Sequence, residues 1–235
     1  MSDAAKPLFV LLHGGCHGGW CYERVAEALG ARGFDSVAPT MAFDDPAKTL
    51  DEHADLVAAL IPPGREAVVV GHSMGGLVAP LVATRRPLRH LALLCAVVPD
   101  PGRSASDLNQ APGVPGPSTV PLEALTVDAN GVLRFASRDA LHRHLYQDCD
   151  DAVVDAAWLR ASATAPTISV QPSPLKEWPR VPTTSIIGTE DGAVNPEWSR
   201  QAARRVGAML VELQGSSHSP FYSQVEQLTE VLAAL

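Results

Sequence analysis

The sequence of 235 residues has little basic charge. Its 18 Lys and Arg residues stand against 26 Asp and Glu residues, which gives a formal net charge of -8 at pH 7. Proteins that bind nucleic acid cluster Lys and Arg on one face to meet the phosphates. The acidic balance therefore predicts that nucleic acid is not a partner.

Cysteine is scarce, and its four residues have neither a CxxC nor a zinc-type spacing: Cys16, Cys21, Cys95 and Cys149. We therefore expect free thiols without a disulfide framework or a bound metal. The glycine-rich stretch at residues 13–19 also lacks the spacing of a dinucleotide or P-loop motif. The sequence thus predicts no cofactor.

Long apolar runs are absent as well. No stretch approaches the 18 or more apolar residues of a membrane-spanning helix, and residues 1–6 have no basic segment leading into a long apolar stretch. We expect a cytoplasmic protein without a membrane partner. The sequence leaves a monomer and a homodimer open.

Apolar residues are plentiful, at 46% of the chain against 19% charged, so one substantial core is expected. Short apolar runs alternate with stretches of helical spacing. The runs predict strands at residues 8–12, 36–38, 67–70, 91–98, 183–187 and 209–213. Helices are predicted at 20–32, 50–60, 74–86, 196–206 and 225–235. Six strands with crossover helices predict an α/β fold, a mostly parallel sheet with helices on both faces.

The alternation stops between residues 100 and 181, a stretch rich in Pro, Ser and Asp. Two helices are expected in it, at 138–146 and 151–161. A long interruption inside a compact domain is usually functional and often forms a lid. We therefore predict a core made of residues 1–99 and 182–235 and a cap made of residues 100–181.

Gly71-His-Ser73-Met-Gly75 has the GxSxG pattern of a nucleophile elbow. This pattern also occurs by chance, and the alternative is a serine in an ordinary glycine-rich turn. The motif stands where a run of three valines meets a predicted helix, which is the context an elbow requires. Ser73 is therefore the candidate nucleophile.

A serine nucleophile needs a histidine base with a carboxylate behind it. Of the eight histidines, His218 alone lies in a loop after the last predicted strand. Asp191 follows the strand predicted at 183–187, which gives the chain order Ser, Asp, His. Glu190 and Asp100 remain as alternatives for the acid, and a surface loop is the alternative interpretation of His218.

Two backbone N–H groups are candidates for an oxyanion hole: that of Met74, directly after the nucleophile, and that of Gly15, in the loop after the first strand. The alternative is a tight turn that needs glycine for backbone reasons alone. His142, His144 and Asp148 do not predict a metal site, because residues two apart on a helix point to different sides. Four aromatic residues are candidate pocket walls or parts of a small cap core: Phe135, Tyr146, Trp158 and Trp178.

Five segments resemble small α/β-hydrolases of the plant methylesterase and hydroxynitrile-lyase type and their bacterial esterase relatives. They are residues 9–21, 70–76, 146–149, 178–182 and 218–221. The resemblance covers nearly the whole chain and implies the α/β-hydrolase fold with a cap at 100–181. It also implies a Ser73-His218-Asp191 triad and an oxyanion hole on the amides of Gly15 and Met74.

Departures from the resemblance bear on the reaction. Hydroxynitrile lyases of this type carry Thr directly after the first-strand His and Lys directly after the catalytic His, whereas this chain has Gly14 and Ser219. We therefore expect a serine esterase that cleaves carboxylic esters of small, largely apolar substrates through an acyl-enzyme. A lyase or another non-hydrolytic enzyme on the same scaffold, and a non-catalytic ligand-binding homologue, stay open as alternatives.

Overall fold

The computed structural model describes residues 6–111 and 115–235. Residues 1–5 of the N-terminal segment and residues 112–114 of the predicted cap lie outside the described residues. Within the described chain, no helix has the length and apolar character needed to cross a bilayer.

The strands of the described chain form one large sheet and one hairpin. They are β1 (Leu8–Leu12), β2 (Ser36–Val37), β3 (Ala67–His72), β4 (His90–Leu94), β5 (Leu125–Val127), β6 (Leu133–Phe135), β7 (Thr183–Gly188) and β8 (Met209–Leu213). The large sheet has six strands, all parallel, in the order β2-β1-β3-β4-β7-β8. This confirms the prediction of a six-stranded, mostly parallel sheet.

Helices cover both faces of this sheet, as predicted. The helices are α1 (Glu23–Ala31), α2 (Leu50–Ala59), α3 (Gly75–Val82), α4 (Ala105–Asn109), α5 (Arg138–Leu145), α6 (Asp151–Arg160), α7 (Thr167–Val170), α8 (Pro196–Arg205), α9 (Pro220–Ser223) and α10 (Val225–Ala233). Side chains of β1 alternate between the faces: Val10 and Leu12 pack with α2, α3 and α8, whereas Phe9 and Leu11 pack with α1, α9 and α10. Burial of both faces explains why the strands are nearly continuous apolar runs.

Several boundaries differ from the predictions, and three of them are ends of β3, α3 and β4. The fourth strand ends at Leu94 rather than at residue 98, because Cys95 has φ 45° and cannot continue an extended strand. The third strand runs two residues further than predicted, to His72. The following helix ends at Val82 rather than near residue 86, and Pro87 disfavours a helical conformation for the residue before it.

The segment between β4 and β7 carries α4, α5, α6 and α7 and the antiparallel β5–β6 hairpin. The helices near residues 138–146 and 151–161 are confirmed, whereas the hairpin was not predicted. An apolar cluster joins α5 and α6 to Cys16 and Ala193, which belong to loops of the large sheet. The segment therefore packs directly against the loops at the carboxyl ends of the parallel strands.

The order of the strands in the large sheet predicts a crevice at the carboxyl ends of the strands. β2 lies on one side of β1, and β3 lies on the other. The crossover connections therefore leave in opposite directions, and the loops that follow β1 and β3 bound a crevice at the carboxyl ends of the strands. These two loops carry Gly15 and Ser73.

Candidate active site

Ser73 stands at a sharp turn between β3 and α3. Its φ of 51° is in the left-handed region, which non-glycine residues rarely adopt. The turn brings the strand and the helix so close that a Cβ on Gly71 would lie 2.7 Å from the Ala79 Cβ. The start of α3 also lies against the loop after β1, because a Cβ on Gly75 would lie 2.7 Å from the His13 carbonyl oxygen. The glycines of the GxSxG pattern are therefore required by contact, as a nucleophile elbow demands.

Hydrogen bonds hold the Ser73 backbone in this strained conformation. Its N–H donates to the Leu94 carbonyl at 3.1 Å, and its carbonyl accepts from the N–H groups of Gly76 and Val97, each at 2.9 Å. The turn is thus fixed to the end of β4 and to the first residues of α3. Backbone strain persists only where the surroundings determine the conformation in this way.

His218 lies in the loop after β8 and meets Asp191, which lies in the loop after β7. The His218 Nδ1 is 2.9 Å and 2.8 Å from the two carboxylate oxygens of Asp191, and both side chains are buried. Asp191 also accepts from the N–H groups of Ala193 and Val194, each at 2.8 Å. These bonds fix the carboxylate. Because Nδ1 donates to Asp191, the Nε2 atom of His218 is the nitrogen left to exchange a proton.

The two alternatives for the acid lie elsewhere. Asp100 pairs with Arg205 at 2.7 Å and with Arg103 at 3.6 Å. Glu190 is exposed at the surface. Asp191 is the carboxylate that the structure brings to His218.

Ser73 and His218 line the same cavity. Within the described residues, the Ser73 hydroxyl makes no hydrogen bond to His218. In the absence of substrate, such bonds are often long and shorten only when substrate binds.

The loop after β1 lies directly against Ser73. A Cβ added to Gly14 would lie 2.6 Å from the Ser73 Cβ, and one added to Gly15 would lie 2.9 Å from the Met74 Sδ. Among the described residues, the N–H groups of Gly15 and Met74 donate to no protein acceptor. Both residues line the cavity beside Ser73.

Polar contacts fix the conformation of this loop. The carbonyl of Gly14 accepts from the His13 Nδ1 at 2.7 Å, and that of Gly15 accepts from the His17 Nδ1 at 2.9 Å. The Cys16 N–H donates to the Thr164 Oγ1 at 2.9 Å. Burial lowers the pKa of His13 to about 4 and that of His17 to about 3, so both rings are neutral near pH 7.

The cavity in front of Ser73 has a volume of about 470 Å³. Its wall contains His218 but no Lys, Arg, Asp or Glu among the described residues, and most of the wall belongs to the segment between β4 and β7. Apolar side chains dominate it, including Val120, Leu122, Leu125, Leu133, Phe135, Leu145 and Val194. A site of this kind suits a neutral, mainly apolar ligand.

Of the four aromatic residues that the sequence offers as pocket walls or as parts of a small cap core, Phe135 lines the cavity and the other three do not. Tyr146 is fully buried, with its hydroxyl 2.6 Å from the His17 Nε2. Trp178 is partly buried against the core cluster that contains α2, α3 and α8, and Trp158 is exposed on α6. Tyr146 belongs instead to the apolar cluster of α5 and α6, which is the cap-core alternative that the sequence left open, whereas Trp158 and Trp178 belong neither to the cavity wall nor to that cluster.

Cys95 lies close to Asp191 and His218. Its Sγ, a ring nitrogen of His218 and a carboxylate oxygen of Asp191 lie within 4.8 Å of one another, which is a possible set of metal ligands. Asp191 and His218 are already hydrogen-bonded directly to each other at 2.8 Å. We interpret these two residues as an acid–base pair, with the buried Cys95 thiol packed behind it.

Sequence reasoning missed the residues that support the site. Thr164 and Tyr146 contact the loop after β1, while Gln147 and Asp148 contact the loops that carry Asp191 and His218. The resemblance at residues 146–149 was a signal that this segment matters. The spacing of residues in the sequence did not predict the hydrogen-bond partners of these side chains.

Comparison with known proteins shows the family of the chain. The family model described as "Alpha/beta hydrolase family" matches residues 9–231. Methylesterase 2 of Arabidopsis thaliana is 26% identical over 256 residues, which covers 99% of this chain and 97% of that protein. Esterase PIR7B of Oryza sativa subsp. japonica is 41% identical over 98 residues, so the match spans 37% of this chain and 37% of the length of that protein.

Solved structures share the fold over nearly the whole chain. A pyrethroid hydrolase from Sphingobium faniae JZ-2 superposes with a TM-score of 0.81 at 22% identity, covering 97% of this chain and 96% of that one. Polyneuridine aldehyde esterase gives a TM-score of 0.82 at 20% identity, covering 97% and 98% of the two chains. At these identities the likeness concerns the fold alone.

Proposed function

Because this chain belongs to the alpha/beta hydrolase family, we propose that it is a serine esterase whose substrates are small, neutral and largely apolar carboxylic esters. One observation carries the proposal: Ser73, on a strained turn, lines a cavity together with His218, and His218 is hydrogen-bonded to the buried Asp191. The names of relatives such as Methylesterase 2 support the same reaction class.

The proposed reaction begins with proton transfer. His218 Nε2 takes the proton of the Ser73 hydroxyl as its oxygen attacks the ester carbonyl carbon, and Asp191 stabilises the resulting imidazolium. The carbonyl oxygen becomes an oxyanion, which accepts hydrogen bonds from the N–H groups of Gly15 and Met74. His218 then gives the proton to the leaving alcohol, and an acyl-enzyme remains on Ser73.

Hydrolysis of the acyl-enzyme repeats these roles. A water molecule attacks the acyl carbon while His218 takes its proton, and the proton passes to Ser73 as the carboxylic acid leaves. This sequence needs no cofactor. We propose that residues 100–181 act as the cap that shapes the acyl and alcohol sites. The cytoplasmic location and the choice between monomer and homodimer stay predictions.

Cyanohydrin cleavage is less well supported, because Gly14 leaves no room for the threonine found in hydroxynitrile lyases of this type. A Cβ at that position would lie 2.6 Å from the Ser73 Cβ and 2.9 Å from the His72 Nδ1. A cyanohydrin assayed in parallel with aryl esters separates the two reactions. Cleavage of the cyanohydrin without ester hydrolysis would favour the lyase.

The main test is a panel of aryl and methyl esters of increasing acyl length, measured on the wild type and on Ser73→Ala. We expect Ser73→Ala to lower kcat by roughly four to six orders of magnitude, because the nucleophile is lost. A fluorophosphonate probe should label the wild type at Ser73. Retention of more than about a tenth of the esterase rate by Ser73→Ala would disprove the assignment, and labelling without turnover of any ester would favour a ligand-binding protein.

The same panel tests the neutral wall of the cavity. An aryl hemisuccinate differs from an aryl butyrate mainly in its carboxylate. We expect its kcat/KM to be at least about tenfold lower, because the charge loses its hydration without gaining a cationic partner. Equal kcat/KM values for the two esters would show that the acyl group does not occupy this cavity.

A further inference from the structure

We infer that Tyr146, Gln147 and Asp148, directly after α5, form a clamp that positions three separate loops of the active site. These three are positioning residues, since each contacts a neighbour of a proposed catalytic group rather than the group itself. The inference rests on the proposed function for its catalytic consequence. Its structural content, three hydrogen bonds to three loops, can be measured independently.

Tyr146 holds the loop that carries Gly15. Its hydroxyl lies 2.6 Å from the His17 Nε2, and the His17 Nδ1 lies 2.9 Å from the Gly15 carbonyl. A carbonyl only accepts, so the ring carries its proton on Nδ1, and Nε2 accepts from the Tyr146 hydroxyl. Through His17, Tyr146 at the end of α5 is therefore linked to Gly15, whose N–H is proposed to bind the oxyanion.

Gln147 holds the loop that carries Asp191. Its Nε2 donates to the Glu190 carbonyl at 2.5 Å. Gly192, on the other side of Asp191, approaches the same place: a Cβ there would lie 2.8 Å from the Gln147 Nε2 and 3.1 Å from the His144 carbonyl oxygen. Both neighbours of the proposed acid therefore lie against the end of α5.

Asp148 holds the loop that carries His218. Its Oδ2 accepts from the Ser217 N–H at 2.8 Å, and the Ser217 hydroxyl donates to the Leu145 carbonyl at 3.3 Å. Ser217 directly precedes the proposed base. The end of α5 thus fixes the backbone from which the imidazole extends.

These bonds make the geometry of the site depend on the placement of α5. The helix itself is anchored by Leu141 and Leu145, which are buried in the cluster shared with α6. A shift of the helix end would move the oxyanion loop, the acid and the base together. Misplacement of reacting groups by about 1 Å can cost about 100-fold in rate.

The first test compares Asp148→Ala with Asp148→Asn in the full chain. The amide oxygen of Asn can still accept from Ser217, so we expect Asp148→Asn to keep kcat within about threefold of the wild type. Asp148→Ala should lower kcat by about tenfold or more, with KM changed by less than about threefold. Arg143→Ala is the matched control: Arg143 is exposed on the same helix, and its side chain makes no hydrogen bond or ion pair among the described residues.

The second test does not depend on esterase activity. Hydrogen exchange of the Ser217 amide should be faster in Asp148→Ala than in the wild type and unchanged in Asp148→Asn and Arg143→Ala. Unchanged exchange and unchanged kcat in Asp148→Ala would overturn the clamp. So would a loss of activity in Asp148→Asn equal to that in Asp148→Ala, because the charge rather than the hydrogen bond would then be what matters.

Two further variants complete the test. Gln147→Ala and Tyr146→Phe should each lower kcat more than KM, with thermal midpoints that separate misplacement from unfolding. If both keep wild-type kcat, the clamp is wrong even if Asp148→Ala cannot be purified. If Ser73→Ala retains esterase activity, the proposed function fails by itself, and the Ser217 exchange still decides whether the clamp exists.

Discussion

The left-handed backbone conformation of Ser73 is unfavourable in free energy. A left-handed φ at a non-glycine residue costs on the order of 1–3 kcal/mol, which the rest of the fold must offset. Here the Leu94 carbonyl and the N–H groups of Gly76 and Val97 hold the turn. The GxSxG pattern was visible in the sequence because the glycines are needed at fixed positions. The strain itself has no sequence signal.

Gly14, which lies against Ser73, should not tolerate a methyl group. In Gly14→Ala the new Cβ would stand 2.6 Å from the Ser73 Cβ, so either the loop or the elbow must move. We expect kcat to fall by about 100-fold, because such a shift separates the Gly15 N–H, the proposed oxyanion donor, from Ser73. Steady-state kinetics with an aryl ester measure this.

Gly30→Ala is the control for this variant. Gly30 lies exposed within α1, and a Cβ there would have no atom within 4 Å. We expect unchanged kcat and a gain of up to about 1 kcal/mol in the free energy of unfolding, because Ala is the better helix former. If Gly14→Ala kept the same kcat as Gly30→Ala, the contact between the loop and Ser73 would not matter for catalysis.

The proposed role of Asp191 as the acid can be tested with the adjacent Glu190 as the control. Asp191→Asn should lower kcat by about three to four orders of magnitude, since an amide can present its NH₂ group to Nδ1 and favour the wrong imidazole tautomer. Glu190→Gln should leave kcat within about twofold, because its side chain is exposed. Equal losses in the two variants, measured at saturating ester, would contradict the assignment of Asp191.

Among the elements, those that follow the alternation of strands and helices were predictable, whereas the short hairpin was not. β3 and α8 follow clear apolar patterns, whereas β5 and β6 have three residues each and pair only with one another. Ser73, His218 and Asp191 could be proposed because each follows a recognisable strand. Thr164 could not, because its contact with Cys16 spans 148 residues of sequence.

Thr164 can be tested by Thr164→Val, which keeps the shape and removes the hydroxyl. The buried Cys16 N–H then loses its acceptor, so the free energy of unfolding should fall by about 1–3 kcal/mol. Urea denaturation measures the change. Thr126→Val, on the exposed part of β5, is the control and should stay within about 0.5 kcal/mol of the wild type. A Thr164→Val protein as stable as this control would show that the bond does not hold the loop.

At the scale of the whole molecule, buried neutral histidines make stability depend on pH. Burial lowers the pKa of His13 to about 4, that of His17 to about 3, and that of His72 well below its usual value. The unfolded chain binds protons at these residues near pH 6.5, whereas the native state does not. The free energy of unfolding should therefore fall as pH drops below about 6.5, by up to about 1.4 kcal/mol per pH unit for each residue.

Two measurements check this pH dependence. Urea denaturation between pH 7.5 and 4.5 should show the loss of stability below about pH 6.5 and little dependence from these residues above it. The Cε1 proton resonances of His13, His17 and His72 should not shift between pH 7.5 and 5.5. A titration of any of these rings in the native protein within that range would show that the ring is not held neutral.

Most residues that line the cavity and the proposed catalytic residues belong to different parts of the chain. Ser73, His218 and Gly15 are carried by loops of the large sheet, whereas Leu122, Leu133 and most of the remaining wall follow β4 in the long insertion. Substitutions in the wall can therefore change which ester fits without moving the proposed catalytic residues. A new preference can evolve, or be engineered, by exchanging side chains of the insertion while its contacts to the loops that carry Gly15, Asp191 and His218 are kept.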